Sequence, residues 1–279
     1  MLTEVYWVIF VLAAIGSVYF SVRYGWWRPT VSYESPRVLM YHMIRDGIPD
    51  AKFNGLRVSP EMFDRQLKYL NEKGWTFHTI TELHELAEKG LLAEKSVAIT
   101  FDDGYEDNFI NAFPIIKKYN AKATIYLVVD RHDRDWSGKR KEKNQGAGLL
   151  LEPKLSDDQV KEMLASGVIE IGSHTLTHDN LMSLDGQNKR KEIHDSRSKI
   201  RSDFDIDCKA FCYPFGLYGM EEVELVKKAG YTTATTVNTG IDHRLTEHPC
   251  EISRITISGK DGFYAFYQKM RTGKRGLFK

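Results

Sequence analysis

Short apolar runs alternating with helix-patterned segments, from residue 38 to residue 257, constrain this chain more than any other feature. Val38-Leu39-Met40-Tyr41 opens the series. Over 60–73, Phe63, Leu67 and Leu70 fall on one helical face and Gly74 stops the helix. A second helix is expected across 81–92. Val97–Phe101 reads as a buried strand, followed by a helix through Phe109 to Tyr119 and by Ala123–Val129, a strand rich in β-branched residues. Ser156-Asp157-Asp158-Gln159 is a capping-box pattern opening a helix that ends near Gly167. A strand over Val168–Ile171, a polar helix at 186–202, a strand at 210–213, a helix at 221–229 and strands at 231–236 and Ile252–Ile257 complete the series. Repeated β–α alternation argues for a parallel sheet covered by helices. Roughly seven such units, with no internal sequence repeat, fit an α/β fold of distorted (β/α)7-type barrel architecture better than an open sheet.

Composition agrees with one large domain. The chain has 279 residues, 42% of them hydrophobic and 28% charged, which is globular rather than disordered. A net charge of +1 gives no reason to expect a nucleic-acid partner. Three cysteines, Cys208, Cys212 and Cys250, are too few for a disulfide scaffold. Cys208 and Cys212, four apart in extended chain, would lie about 13 Å from each other, too far to bridge. Cys250 could pair with either after folding, but the general habit of cysteine to be buried favours buried free thiols. The charged segment 131–154 reads as a solvated surface loop.

The N-terminus is a separate matter. Val5–Val22 is a run of 18 uncharged residues between Glu4 and Arg23. As a helix it would span about 27 Å, near the roughly 30 Å hydrocarbon core of a bilayer. Tyr6 and Trp7 on one side and Tyr24, Trp26 and Trp27 on the other resemble interfacial belts. No basic residue precedes the run, and the flank after it is a poor cleavage site, so an uncleaved membrane anchor over 1–28 is expected, with a linker over 29–36. Arg23, Arg28 and Arg37 follow the run, and the positive-inside rule by itself would leave the rest of the chain in the cytoplasm.

In barrels of this class the reactive groups sit at the C-terminal ends of the strands. Polar clusters stand there. Val97–Thr100 runs into Phe101-Asp102-Asp103-Gly104-Tyr105, and adjacent carboxylates after a buried strand call for water, a cation or a shared proton. Val168–Ile171 ends at Gly172-Ser173 and then His174-Thr175-Leu176-Thr177-His178. Two histidines four apart, on a helical turn or in a tight loop, can face one metal as neutral imidazoles. Together the clusters point to a site of two histidines and one aspartate, whose open positions mark a catalytic metal centre. Such ligands suit Zn2+, with Co2+, Ni2+ or Fe2+ as alternatives.

Thr100–Tyr105 and His174–His178 resemble the first two motifs of the polysaccharide deacetylase (NodB-homology, carbohydrate esterase 4) family, and Tyr213-Pro214-Phe215-Gly216 resembles the core of its third. The likeness covers roughly 36–260 in matching order and spacing, which extends the catalytic domain over 37–279. Leu39-Met40-Tyr41-His42 is further similar to the poly-N-acetylglucosamine deacetylase subgroup. The resemblance implies a hydrolase that removes an N-acetyl group from an amino sugar in a surface polysaccharide, lipopolysaccharide or lipid-linked glycan. Deformylation of a lipid-linked sugar, or glycan binding without catalysis, are the alternatives. It implies Asp103, His174 and His178 as metal ligands, Asp102 as the base acting on metal-activated water, and Tyr213 and Pro214 lining the acyl pocket, where a backbone amide would donate to the oxyanion. It also implies an extracytoplasmic domain, against the charge rule. The family's arginine before the third motif is replaced here by Lys209-Ala210-Phe211-Cys212, and the fourth motif has no match. The fifth motif's histidine is absent from Ser253-Arg254-Ile255-Thr256-Ile257. Arg254 is expected to contribute charge toward the substrate, and His42, His243 or His248 to supply a proton.

Overall fold

A computed structural model describes residues 2–132, 149 and 152–277, so most of the expected 131–154 loop lies outside the described residues. The elements run α1 (Leu2–Tyr24), β1 (Arg37–Tyr41), β2 (Met43–Ile44), β3 (Arg57–Val58), α2 (Pro60–Glu72), β4 (Thr76–His78), α3 (Ile80–Glu88) and β5 (Ser96–Phe101). After β5 come a π-helical turn (Asn108–Ala112), α4 (Phe113–Lys118), β6 (Ala123–Leu127), α5 (Asp157–Ala165), β7 (Ile169–Ser173) and α6 (Gly186–Phe204). The chain ends with β8 (Ala210–Cys212), α7 (Met220–Lys228), β9 (Thr233–Thr239), β10 (Ile252–Thr256) and α8 (Phe263–Thr272).

Seven parallel strands close into a barrel in the order β1-β10-β9-β8-β7-β6-β5, and β5 returns to β1 from Arg37↔Val97 to Tyr41↔Phe101. The short β4 fills the edge of β5 beside Ser96–Ala98, where β6 has not yet begun. Every residue of β1, β5 and β6 is buried, as parallel strands covered on both faces require. One face of these strands carries Leu39, Tyr41, Val97, Ile99 and Phe101 into the layer beneath the helices. The other turns Val38, Ala98 and Tyr126 into the barrel, where they meet Ala210 and Cys212 of β8 and Ile252 of β10. The period of two along a strand therefore sends Asp102 inward, in line with Ala98 and Thr100.

Most helices start within a residue of the expected position, but the one expected through Phe109 opens as the π-helical turn and becomes α-helical only at Phe113. Ser59 caps α2, and reciprocal capping boxes open α3 at Thr79 and α5 at Ser156. Three elements escaped the pattern: β4, the β2–β3 pair and α8. α8 is rich in aromatic residues and begins at Gly262 with no side-chain cap, so neither composition nor cap announced it. Cys208, Cys212 and Cys250 are buried free thiols.

Helix α1 is apolar on all sides and long enough to cross a membrane, a test that a signal sequence also passes. Its last turn rests on the domain: Phe20 and Tyr24 pack on Tyr264 of α8, and the Leu277 N–H donates to the Val22 carbonyl (3.2 Å). Residues 29–36, expected to be a linker, are tied down as well. Arg37 is fully buried and donates to the carbonyls of Val31, Ser32, Ser35 and Met270. Burial pushes its pKa down to about 10. Arg37 is thus a clasp on the barrel floor and leaves the tally of charges flanking α1, which retains Arg23 and Arg28.

Candidate active site

The two clusters read from the sequence meet at one point above the barrel. The Asp103 carboxylate (Oδ1) lies 3.4 Å from His174 Nε2 and 3.5 Å from His178 Nε2, all three side chains being buried. Donors held about 2.1 Å from one tetrahedral ion would be spaced by about 3.4 Å, so this spacing fits a shared cation. The tautomer fits too. His174 Nδ1 donates to the Cys212 carbonyl (2.8 Å), which leaves the Nε2 lone pair facing the cluster. Asp102, His174 and Cys212 form a second grouping of potential ligands, but both Asp102 oxygens and the Cys212 sulfur face the Arg254 guanidinium, a poor neighbour for a metal.

Local strain shapes these loops. Asp103 (φ 80°), Thr175 (φ 69°), His178 (φ 60°) and Phe215 (φ 59°) occupy the left-handed region that non-glycine residues avoid. Such residues persist only where the surroundings hold them, as happens at functional sites. The histidines therefore sit in a tight loop rather than on a helical turn. Glu192 of α6 holds that loop by accepting from the N–H (2.9 Å) and the hydroxyl (2.7 Å) of Thr177. The Thr175 hydroxyl accepts from the His178 N–H (3.0 Å), and the Phe215 ring packs 4.6 Å from that of His178. Gly104 (φ 67°) turns the chain after the acid pair, and a Cβ there would stand 2.7 Å from Leu127.

Asp102 is buried beneath this cluster. Arg254 donates to both of its oxygens, at 2.6 and 2.8 Å, and its other donors reach Thr100 Oγ1, the Thr236 carbonyl and the Cys212 sulfur. Burial raises the Asp102 pKa, but the guanidinium outweighs it and the net direction is downward, so the carboxylate stays ionised. Asp103 likewise is raised by burial and carried lower overall by His174 and His178. Burial opposes charging of His174, yet Cys212 and Asp103 carry its pKa upward, the mark of a negative pocket suited to a cation.

Other expected residues fall differently. Arg254, expected to act toward substrate, has 0% exposure, so it touches Asp102 and not the cleft. Its guanidinium meets Asp102 from β10, whereas the family's base-orienting arginine stands before the third motif. The Tyr213 ring is buried in the layer under the helices, its hydroxyl donates to the Cys250 carbonyl (3.0 Å), and its N–H donates to the Thr235 carbonyl (3.3 Å). Pro214 is buried at the start of the turn that carries Phe215. His42 follows β1 directly, with Nε2 4.0 Å from Asp102 Oδ2 and 18% of its side chain exposed. His243 and His248 precede β10 at the opposite end of the barrel, His243 against Ser35 (3.0 Å) and His248 beside Glu251 (3.6 Å). Sequence reasoning missed Glu192 and the pairing of Arg254 with Asp102, since nothing in the local spacing joins either to the motifs.

A sequence profile of the polysaccharide deacetylase family matches residues 89–234, the stretch that holds both clusters. YxkH of Bacillus subtilis is 32% identical over 238 residues, 84% of this chain and 76% of that protein. The chain belongs to the polysaccharide deacetylase family. This deacetylase is also 30% identical over 184 residues to the poly-β-1,6-N-acetyl-D-glucosamine N-deacetylase of Staphylococcus aureus, across 62% of its own length and 58% of that protein's. Among solved structures it resembles the Streptococcus pyogenes deacetylase PplD in complex with acetate, with a TM-score of 0.72 and 27% identity over 87% of this chain and 99% of that one. IcaB from Ammonifex degensii shares the fold at a TM-score of 0.69 and 23% identity, over 86% of the deacetylase and 97% of that chain.

Proposed function

We propose that this deacetylase removes N-acetyl groups from glucosamine units of a surface polysaccharide of the β-1,6-linked type, with a divalent cation held by Asp103, His174 and His178. The observation that carries the reading is Asp102, buried and ionised against Arg254, lying beside both that ligand set and His42. The staphylococcal relative supports the substrate class. A bound cation would lower the pKa of a water and polarise the acyl carbonyl.

The remaining chemistry belongs to the protein's own side chains. Asp102 takes a proton as water adds its oxygen to the acetyl carbon. Arg254 keeps the carboxylate aimed and charged, the task of the arginine missing before the third motif. As the C–N bond breaks, its electron pair goes to nitrogen, which takes a proton from His42, and acetate and a free amine result. His42 is the histidine for this step because His243 and His248 stand at the far end of the barrel.

Helix α1 would be a retained anchor, because its last turn packs on Tyr264 and bonds to Leu277, and the domain would lie outside the cytoplasm, where a surface polysaccharide is met. Release of acetate from a panel of β-1,6- and β-1,4-linked N-acetylglucosamine oligomers, with metal removed by chelation and restored, tests the function. Equal rates without metal, or no acetate from any oligomer, would refute it. Digestion of the domain by protease added to intact cells checks the topology.

A further inference from the structure

His42 poses a positioning problem. Its imidazole makes no hydrogen bond among the described residues, and its nearest charged neighbour is Asp102 at 4.0 Å. It also lies one residue beyond the closed ladder, which ends at Tyr41↔Phe101. Where the ring points is therefore set by the main chain of residues 42–44. That main chain is held from one side by β3, through the pairs Met43↔Arg57 and Ile44↔Val58. On its other side stand three polar side chains from a single stretch. Asn108 Nδ2 donates to the His42 carbonyl (2.8 Å), Asp107 Oδ1 accepts from the Ile44 N–H (3.0 Å), and Asn111 Nδ2 donates to the Ile44 carbonyl (2.7 Å). Asn108 Nδ2 also bonds Asp107 Oδ1 (3.0 Å), which joins two of the three into one unit.

These residues come from the π-helical turn Asn108–Ala112 and the residue before it, four positions after Asp103. A π-helical turn is rare, is less favourable than regular α-helix, and occurs mostly at functional sites. Here the loop that supplies Asp102 and Asp103 continues straight into the turn that grips the segment carrying His42. We propose that Asp107, Asn108 and Asn111 are positioning residues for His42, locking the acid-bearing segment to the base-bearing loop so that proton acceptor and proton donor keep a set separation. This rests on the reading of His42 as the proton donor to the leaving amine. The turn would matter for a poor leaving group, which needs that proton, and little for a good one.

The test compares two leaving groups in the full chain. An N-acetylglucosamine oligomer must have its amine protonated, whereas 4-nitrophenyl acetate releases a phenolate that leaves without help. Asn111→Asp and Asn108→Asp each exchange an N–H donor for an oxygen of the same size facing a carbonyl. For each, kcat on the oligomer should fall about 10- to 100-fold with KM within about twofold, while aryl ester hydrolysis and metal content stay within about twofold. If the buried Asn108 variant does not fold, the partly exposed Asn111 variant still decides. Equal falls on both substrates, or no fall on the oligomer, overturn the proposal. His42→Ala separates the two claims. A loss larger on the oligomer than on the ester upholds the donor reading whatever the asparagine variants do, and equal losses overturn the donor reading and the positioning role together.

Discussion

The two halves of the site are built in different ways. The cluster of Asp103, His174 and His178 comes from two short loops, after β5 and β7, whose backbone is strained and braced from within by Thr175, Thr177 and Glu192. The cluster of Asp102, Arg254 and His42 draws on β5, β10 and β1, three neighbouring strands joined only because the sheet closes. A metal needs donors at fixed short distances, which a tight loop provides. A buried carboxylate needs a counter-charge, which can arrive from any strand that faces the barrel interior. Local sequence can encode the first. Closure has to deliver the second.

If that division is real, the halves can be disabled separately. His174→Ala should lose the metal and with it more than about 10³-fold of activity, whereas Asp102→Asn should keep the metal and lose about 10²- to 10⁴-fold. Metal analysis of the purified variants alongside acetate release checks this, and loss of metal in Asp102→Asn would merge the halves into one unit.

Arg254→Met probes the second half alone. It leaves Asp102 buried without its partner, so stability should fall by about 3–5 kcal/mol in denaturant titrations. The double variant with Asp102→Asn should recover much of that loss, which a double-mutant cycle measures. A decrease below about 1 kcal/mol would mean that closure does not supply the counter-charge.

The smallest expected effect is a pH dependence at Asp107. Burial raises its pKa from 3.8 to about 6. A carboxyl with a raised folded pKa stabilises the protein below the unfolded value and loses that contribution as pH climbs through the folded one. Wild type should therefore lose about 2–2.5 kcal/mol relative to Asp107→Asn between pH 4 and pH 7. Asparagine keeps an acceptor for the Ile44 N–H, so the difference reports charge burial. Parallel stability curves for the two proteins across that range would remove Asp107 from the list of buried charges behind His42.

Much of the fold was legible because its signals are local. Short apolar runs, the capping box at Ser156 and the glycine stops at Gly74 and Gly167 need only a few neighbouring residues. α8 was not legible, since an aromatic-rich segment with an uncapped start owes its helicity to packing on α2 and on the end of α1. The site divides along the same line. Asp102, Asp103, His174 and His178 stand within two short motifs, while the bond between Arg254 and Asp102 spans 152 residues.

By itself, then, the sequence determined the alternation that makes a barrel, the family, and the residues able to hold a cation. Each of these depends on side chains a few positions apart, where backbone geometry alone sets the distances. Only the tertiary structure decided which arginine neutralises Asp102, which histidine stands beside it, and what holds that histidine in place. Those choices rest on which strands become neighbours when β1 meets β5 and β10, a fact of closure that no short stretch of chain contains.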